Sequence, residues 1–248
     1  MIVKPIRSTA KLFGRKAYIL HTEAELRARF TTWPIDHDEL VVQRYITGPL
    51  EQCDFVAVRG DVVAFFQAHA VRTDRPDGTG FAVDFLSDPP DEGVLAACRA
   101  FARAHDYTGP GLLQLVRSTE DGHLYFIENN PRLSAGIAQA VRCGLDMPYL
   151  MLQAASRLPP MGRTTPTSVL PYRVGHRTHW LSRDLAGYLD SRRELDATER
   201  CRWRRAIITS LARADDHMTW DLRDPAPSFW IYGRLLSRVL RAGTSDAA

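Results

Sequence analysis

Apolar residues follow two rhythms along this chain, and the change between them divides it. In the first part they fall in short, β-rich runs at residues 2–4, 16–20, 40–46, 54–58, 62–72, 112–118 and 123–130. Runs of that length, bounded by Gly, Pro, Asn or Asp, predict strands. Arg59-Gly60-Asp61 and Glu120-Asp121-Gly122 each separate two such runs, which predicts two hairpins. Residues 91–105 break the pattern with apolar positions at 94, 95, 97, 98, 101 and 102, the stripe of a helix facing a core. Thr22-Glu23-Ala24-Glu25 opens a shorter helix as an N-cap and capping-box pair. Helices are also expected over 133–143, ending at Gly144, and over 147–155. After a stretch holding Pro159, Pro160, Pro166 and Pro171, the rhythm becomes helical, at 182–190, 197–212 and 228–242. The pattern predicts an α+β chain with a mostly helical C-terminal region.

The second hairpin carries the candidate chemistry. A three-residue loop with Gly third fits a type I turn plus G1 bulge, which pairs residue 119 with 123. Gln114 then stands directly opposite Glu128, with the two Cβ atoms about 5 Å apart. Side chains alternate faces along a strand, so Glu128, Asn130 and Arg132 share a side. Carboxylate and amide oxygens are hard ligands suited to Mg2+, and a guanidinium matches a phosphate or carboxylate. These residue types in this spacing outline a phosphoryl-transfer site.

Composition narrows the class. The chain has 248 residues, 45% hydrophobic and 25% charged, which allows one or two domains. Apolar runs such as 62–66 are far too short to span a bilayer. Cys53, Cys98, Cys143 and Cys201 lie far apart, so reduced thiols and a cytoplasmic setting are the expectation. The net charge of +3 hides an asymmetry: residues 1–156 carry 16 basic and 19 acidic side chains, residues 157–248 carry 16 arginines and 10 acids.

The order is strand with Lys4, polar loop, apolar strand, hairpin, loop, helix, then a hairpin with Gln114 facing Glu128-Asn129-Asn130-Pro131-Arg132. In this order it resembles the ATP-grasp superfamily over residues 1–155, with support from Leu40-Val41-Val42-Gln43-Arg44-Tyr45-Ile46 and Gly48. The resemblance implies two α+β subdomains clamping ATP. These would be a partial small subdomain over 1–45, a large one over 46–156, and an Arg-rich helical extension over 157–248. It further implies that Lys4 contacts ATP phosphates and that the loop 7–15 closes over them, although that loop is poor in glycine. Gln43, Arg44, Tyr45 and Ile46 would meet the adenine, and Arg72 would be a second basic residue near the phosphates. Gln114, Glu128 and Asn130 match the ligands of Mg2+ (or Mn2+), and Arg132 the guanidinium that steadies the transferred phosphoryl group. Asp224-Pro225-Ala226-Pro227 resembles a C-terminal signature of carbamoyl-phosphate-synthase-like members.

The activity so implied is a carboxylate–amine ligase: ATP converts a carboxylate to an acyl phosphate, which an amine attacks. Whole members of the superfamily begin with an α/β domain ahead of the lysine strand, so a separate chain supplying it is a possible partner. Strand 2–4 is then expected to lose pairing partners. The alternative is an incomplete ATP-binding or regulatory module. Arg200-Cys201-Arg202-Trp203-Arg204-Arg205 mixes cations with an aromatic, and 228–242 is amphipathic. For both, docking on the main body with arginines facing water or its acids is favoured over nucleic acid or membrane. His69 and His123 are read as nonfunctional, Asp121 and Gly122 as turn chemistry.

Overall fold

The computed structural model describes residues 1–7, 10–13, 15–31, 39–156 and 170–245, with side chains to residue 237. Gly14 and most of the proline-bearing stretch 157–172 lie outside the described residues.

Two sheets organise the chain. The first holds β1 (Ile2–Pro5), β2 (Tyr18–Ile19) and β3 (Leu40–Gln43) in the antiparallel order β2-β1-β3. β1 is therefore the central strand, with partners on both sides, where a loss of partners is expected from sequence. Its alternation buries Val3 with Leu12, Tyr18 and Leu20 against Leu26 and Phe30 of and just after helix α1 (Glu23–Arg29). Lys4 consequently points to the other side, with Gln43 and Val41 as same-face neighbours through the β1–β3 register. Thr22 caps α1 by accepting from the Glu25 amide at 3.1 Å, while the Glu25 carboxylate accepts from His21 N at 2.7 Å. β3 stops at Gln43, three residues before the predicted end of the run.

The second sheet is built on β4 (Leu50–Val58), β5 (Asp61–Thr73), β6 (Ala82–Ser87), β7 (Gly109–Arg117) and β8 (Leu124–Asn130). The β4–β5 turn is only Arg59-Gly60, both at positive φ (49° and 79°), because Asp61 already pairs with Val58. That is the type I′ geometry whose twist suits a tight hairpin. One face packs Cys53, Phe55, Phe65, Leu113 and Leu115 on helix α2 (Glu92–Ala104), which buries Val94, Leu95, Cys98 and Ala102. The Asp91 carboxylate caps α2 through the Val94 amide at 2.9 Å, a contact worth about 1 kcal/mol. The other face packs Val56, Ala64, Phe66 and Ala68 on α3 (Ile137–Arg142) and α4 (Met147–Ser156). Helix 133–143 is thus shorter than its sequence predicts. Ser134 is held by Asp54 in the turn before it, at 3.1 Å.

The C-terminal region contributes helices α5 (Leu181–Ser191), α6 (Ala197–Arg213) and α7 (Ala226–Ser245), but also two strands. β9 (Arg177–His179) pairs with β6 and β10 (Asp216–His217) with β9, giving the order β10-β9-β6-β5-β4-β7-β8. The sheet of the large subdomain therefore crosses the expected boundary at 157. Strands of two or three residues are too short to show alternation in sequence. Helix α6 begins with a complete capping box of Asp196 and Glu199, and buries Trp203 and Ile207 against Leu181, Leu185 and Tyr188. Two arginines of this region pair with acids of the first part: Arg177 with Asp84 and Arg183 with Asp74. Phe229, Trp230 and Leu236 of α7 stay exposed.

Candidate active site

Cross-strand register builds the site. Gln114 of β7 lies directly opposite Glu128 of β8, and Gln52 of β4 lies on the other side of Gln114. Leu112 pairs with Asn130 in the same ladder. The hairpin reaches this register by a different route from the one its sequence predicts. Ser118 N bonds to His123 O at 2.9 Å, so the loop has four residues, 119–122. A bulge just before Glu128 compensates: Leu115 pairs with Phe126, which leaves Ile127 as the extra residue. One added loop residue and one bulge cancel, and Gln114 meets Glu128.

Within this row the Asn130 side-chain amide donates to the Glu128 carboxylate at 2.8 Å. Glu128 is exposed, Gln114 and Asn130 half-buried. The donors are one carboxylate and two amide groups, all hard oxygen ligands. Among the described residues no cluster of three or more His, Cys, Asp or Glu could hold a metal. A divalent cation here would rely on the amide oxygens and on substrate phosphate, a set that fits Mg2+, which keeps waters and uses few carboxylates. Arg132 follows in a tight turn, its amide bonded to Asn130 O at 2.8 Å and its guanidinium to Leu133 O at 3.1 Å.

Beneath the turn sits Asp54, buried, on the row of Leu112 and Asn130. Burial pushes its carboxyl up to about 7, against the opposing pull of the Ser134 bonds and the Arg132 charge. Its Oδ1 has no hydrogen-bond partner among the described residues. Sequence reading does not single out Asp54 or Ser134, because their contact spans 80 residues.

The small sheet meets this end of the large one through the loop before β2. Leu12 is fully buried and bridges Arg15, and Arg15 forms ion pairs with Glu194 and, at 3.8 Å, with Asp77. Lys16 lies over the Phe81 ring at 3.8 Å, and Arg183 lies over the same ring at 4.5 Å. Burial, then the Arg183 charge, lowers the Lys16 ammonium below its usual value, while Glu128 and Asp74 pull it back up. Lys16 is thus a cation within electrostatic reach of Glu128 that sequence reading misses. Its position at the start of a predicted strand gave no signal beyond its charge.

The residues assigned to the adenine side fall on the crossing between the sheets. Arg44 binds Glu120 at 2.6 Å, so its guanidinium is tied to the β7–β8 loop. Tyr45 and Ile46 are half-buried, and Thr47 O accepts from Thr119 N at 2.8 Å. Gly48 then passes so close to β7 that a Cβ would stand 1.9 Å from Arg117 O. Only glycine permits that approach.

Arg72 departs from the expected phosphate position. Arg72 pairs with Asp84 across an irregularity between Ala70 and Thr73. Register then puts Asp84 with His179 and Leu86 with Arg177 and His69, on the face that α2 covers. Gln52, Gln114 and Ala68 line the opposite face. The bulge turns Arg72 to the back, where its guanidinium holds the fully buried Asp184 through both nitrogens, Nη1 at 2.7 Å. His69 also has a partner that its sequence does not reveal: Nδ1 sits 2.7 Å from Asp88 Oδ2.

Residues 36–178, more than half of the chain, match the family model described as ATP-grasp in the biosynthetic pathway with Ter operon. The chain belongs to the ATP-grasp superfamily. Among solved structures, this ATP-grasp chain is similar to the L-amino acid ligase from Bacillus licheniformis. That match has 16% identity and a TM-score of 0.49, covering 71% of this chain and 42% of that one. It is also similar to the biotin carboxylase from Campylobacter jejuni, at 17% identity and a TM-score of 0.48, covering 71% and 40%. The chain therefore spans well under half the length of these proteins. At such scores the likenesses add nothing to the family membership, which stands on residues 36–178. No curated protein sequence matches the chain. Among the described residues no helix is long and apolar enough to cross a membrane.

Proposed function

We propose that this ATP-grasp chain binds ATP with Mg2+ and activates a carboxylate as an acyl phosphate for attack by an amine. The observation that carries the reading is the row Gln114–Glu128–Asn130, three oxygen donors on one face with Arg132 next in line. Mg2+ held by these three side chains supplies charge neutralisation at the phosphates. Lys4 of β1 and Lys16 of the loop before β2 serve as cations for the same phosphates, and Gln43, Arg44, Tyr45 and Ile46 form the adenine side. A carboxylate oxygen attacks the γ-phosphorus, the bond to ADP breaks, and Arg132 steadies the transferred group. The amine then forms the C–N bond, phosphate leaves, and the amine loses a proton.

Phosphoryl transfer rests on positioning and charge more than on proton chemistry, so a site with one acid and several cations is adequate for it. Arg72 is no part of this set, because it lies on the face of the sheet opposite Gln114 and Glu128. Removing Arg132 lowers turnover about 10²–10³-fold, by analogy with other electrostatic stabilisers.

ADP release, measured with ATP, Mg2+ and a panel of carboxylates and amines, tests the proposal. Release that needs both substrates supports a ligase. Mg2+-dependent ATP binding without ADP release leaves the nucleotide site in place and takes the ligase step away from these residues. No ATP binding overturns both.

A further inference from the structure

On the back of the large sheet, residues of helix α6 and of β5, β6 and β9 line a cavity of about 300 Å³. Its walls hold four arginines, Arg72, Arg177, Arg202 and Arg205, with Asp84 and Thr209. Residues 202, 205, 206 and 209 are spaced three and four apart, so one flank of α6 forms the outer wall.

The arginines divide into two kinds. Arg72 and Arg177 are anchored from behind, Arg72 by Asp184 and Arg177 by Asp84 through Nε at 2.8 Å and Nη2 at 2.5 Å. Each guanidinium carries five N–H donors, so both keep donors unused by these acids. Arg202 and Arg205 make no hydrogen bond or ion pair among the described residues, and neither does the Thr209 hydroxyl. Asp84 is already satisfied by Arg177 and by the Ser210 hydroxyl at 2.6 Å. Four cations around one cavity repel each other, and the two acids that touch them neutralise only half. Like charges so gathered are costly unless an anion offsets them.

We propose that this cavity is a second ligand site, which takes the phosphate group of a small phosphorylated molecule. Fixed guanidinia at the floor and two free ones on the α6 wall suit a doubly charged tetrahedral anion, which planar donors grip bidentately. The cavity opens to solvent past the α6 wall, which also carries the Thr209 hydroxyl, and has room for a phosphate and a small attached group, near the lower end of ligand-pocket sizes. A nucleic acid would instead need cations strung along a track. The site lies on the opposite face from Gln114 and Glu128, so it is independent of the nucleotide reading.

Calorimetric titration of the whole chain with inorganic phosphate and with glycerol 3-phosphate tests this, without ATP or Mg2+. Saturable one-to-one binding is expected, and tighter binding of glycerol 3-phosphate than of phosphate identifies an esterified ligand. The double variant Arg202→Gln/Arg205→Gln weakens it at least 10-fold, as loss of charge-assisted bonds requires. Arg213→Gln, on the same helix but away from the cavity, leaves affinity unchanged. So does Lys4→Ala, which excludes phosphate seated at the nucleotide site. Because Arg202 and Arg205 are exposed and have no partner among the described residues, the double variant keeps the wild-type thermal unfolding midpoint, and that control accompanies the titration. The proposal is overturned by the absence of saturable binding in the wild type, or by equal affinity in the double variant. Equal loss in Lys4→Ala also overturns it. Binding only to a DNA duplex or to phosphatidylserine vesicles, with a steep salt dependence, overturns it in favour of a polyanion surface.

Discussion

The two faces of the seven-stranded sheet use charge in opposite ways. On the front, Glu128, Gln114 and Asn130 form an exposed or half-buried row whose recorded side-chain contact is one amide–carboxylate bond. On the back, Arg72, Asp184, His179 and Trp203 form a closed network: the Asp184 carboxylate, fully buried, accepts from Arg72, from Trp203 Nε1 at 2.8 Å and lies 2.9 Å from His179 Nε2. A buried carboxylate must be satisfied where it stands, whereas an exposed one can await a ligand. Pairing, rather than the number of charges, separates structural from ligand-binding groups. Substitutions in the Gln114–Glu128–Asn130 row should therefore change binding with little effect on stability, and substitutions in the Arg72–Asp184 network the reverse.

The largest expected effect tests the back. Arg72→Met leaves Asp184 buried with only its His179 and Trp203 partners, and should cost about 3–5 kcal/mol of unfolding free energy in urea titrations. MgATP affinity at a temperature where the variant is folded should stay within a factor of two or so. A variant as stable as the wild type would mean that Asp184 is not held by Arg72.

The next effect concerns Asp54, a buried carboxyl on the front. The Asp54 carboxyl is raised to about 7 in the folded chain from 3.8. Between these values the folded state holds a proton that the unfolded state has lost, so stability falls as pH rises through this window. The full penalty is present above pH 7, on the order of 2–4 kcal/mol. Asp54→Asn, whose amide oxygen can still accept from Ser134, should flatten the pH dependence and unfold later than wild type at pH 8. Parallel curves for the two proteins from pH 4 to 8 would refute the raised value. His69 behaves more weakly in the same direction. Its bond to Asp88 raises it, so its contribution is present at acid pH and lost as pH climbs through the folded value.

A smaller effect tests the crossing between the sheets. Gly48→Ala puts a Cβ against the Arg117 carbonyl, which forces the chain off β7. A loss of about 1–3 kcal/mol is expected, with weaker ATP binding because residues 43–46 shift with it. An unchanged midpoint would show that the segment adjusts freely. The least effect on stability belongs to Glu128→Gln, within about 0.5 kcal/mol.

The difference between the faces was only half legible in the sequence. Gln114, Glu128 and Asn130 are close along the chain and their pairing follows from hairpin rules, even though the four-residue loop and the Ile127 bulge replace the predicted three-residue loop. Helices α2 and α6 announce themselves by their stripe and their caps. The back face depends on contacts between distant residues: Arg72 with Asp184, 112 positions apart, and Arg177 with Asp84, 93 apart. Nothing local marks the bulge that turns Arg72 over, and nothing marks β9 and β10, which have too few residues for a period. That bulge sets Arg72, expected near the phosphates, on the opposite face from Gln114 and Glu128. Lys16 and Asp54 matter through neighbours the chain brings from elsewhere, so their own surroundings in sequence carried no sign of them.

Calorimetric titration of ATP into the wild type and into Glu128→Gln, each with and without Mg2+, tests the central claim most directly. The account predicts that Mg2+ strengthens ATP binding to the wild type, and that Glu128→Gln loses this gain while keeping its unfolding midpoint. Equal Mg2+-dependent affinity in the two proteins would contradict it.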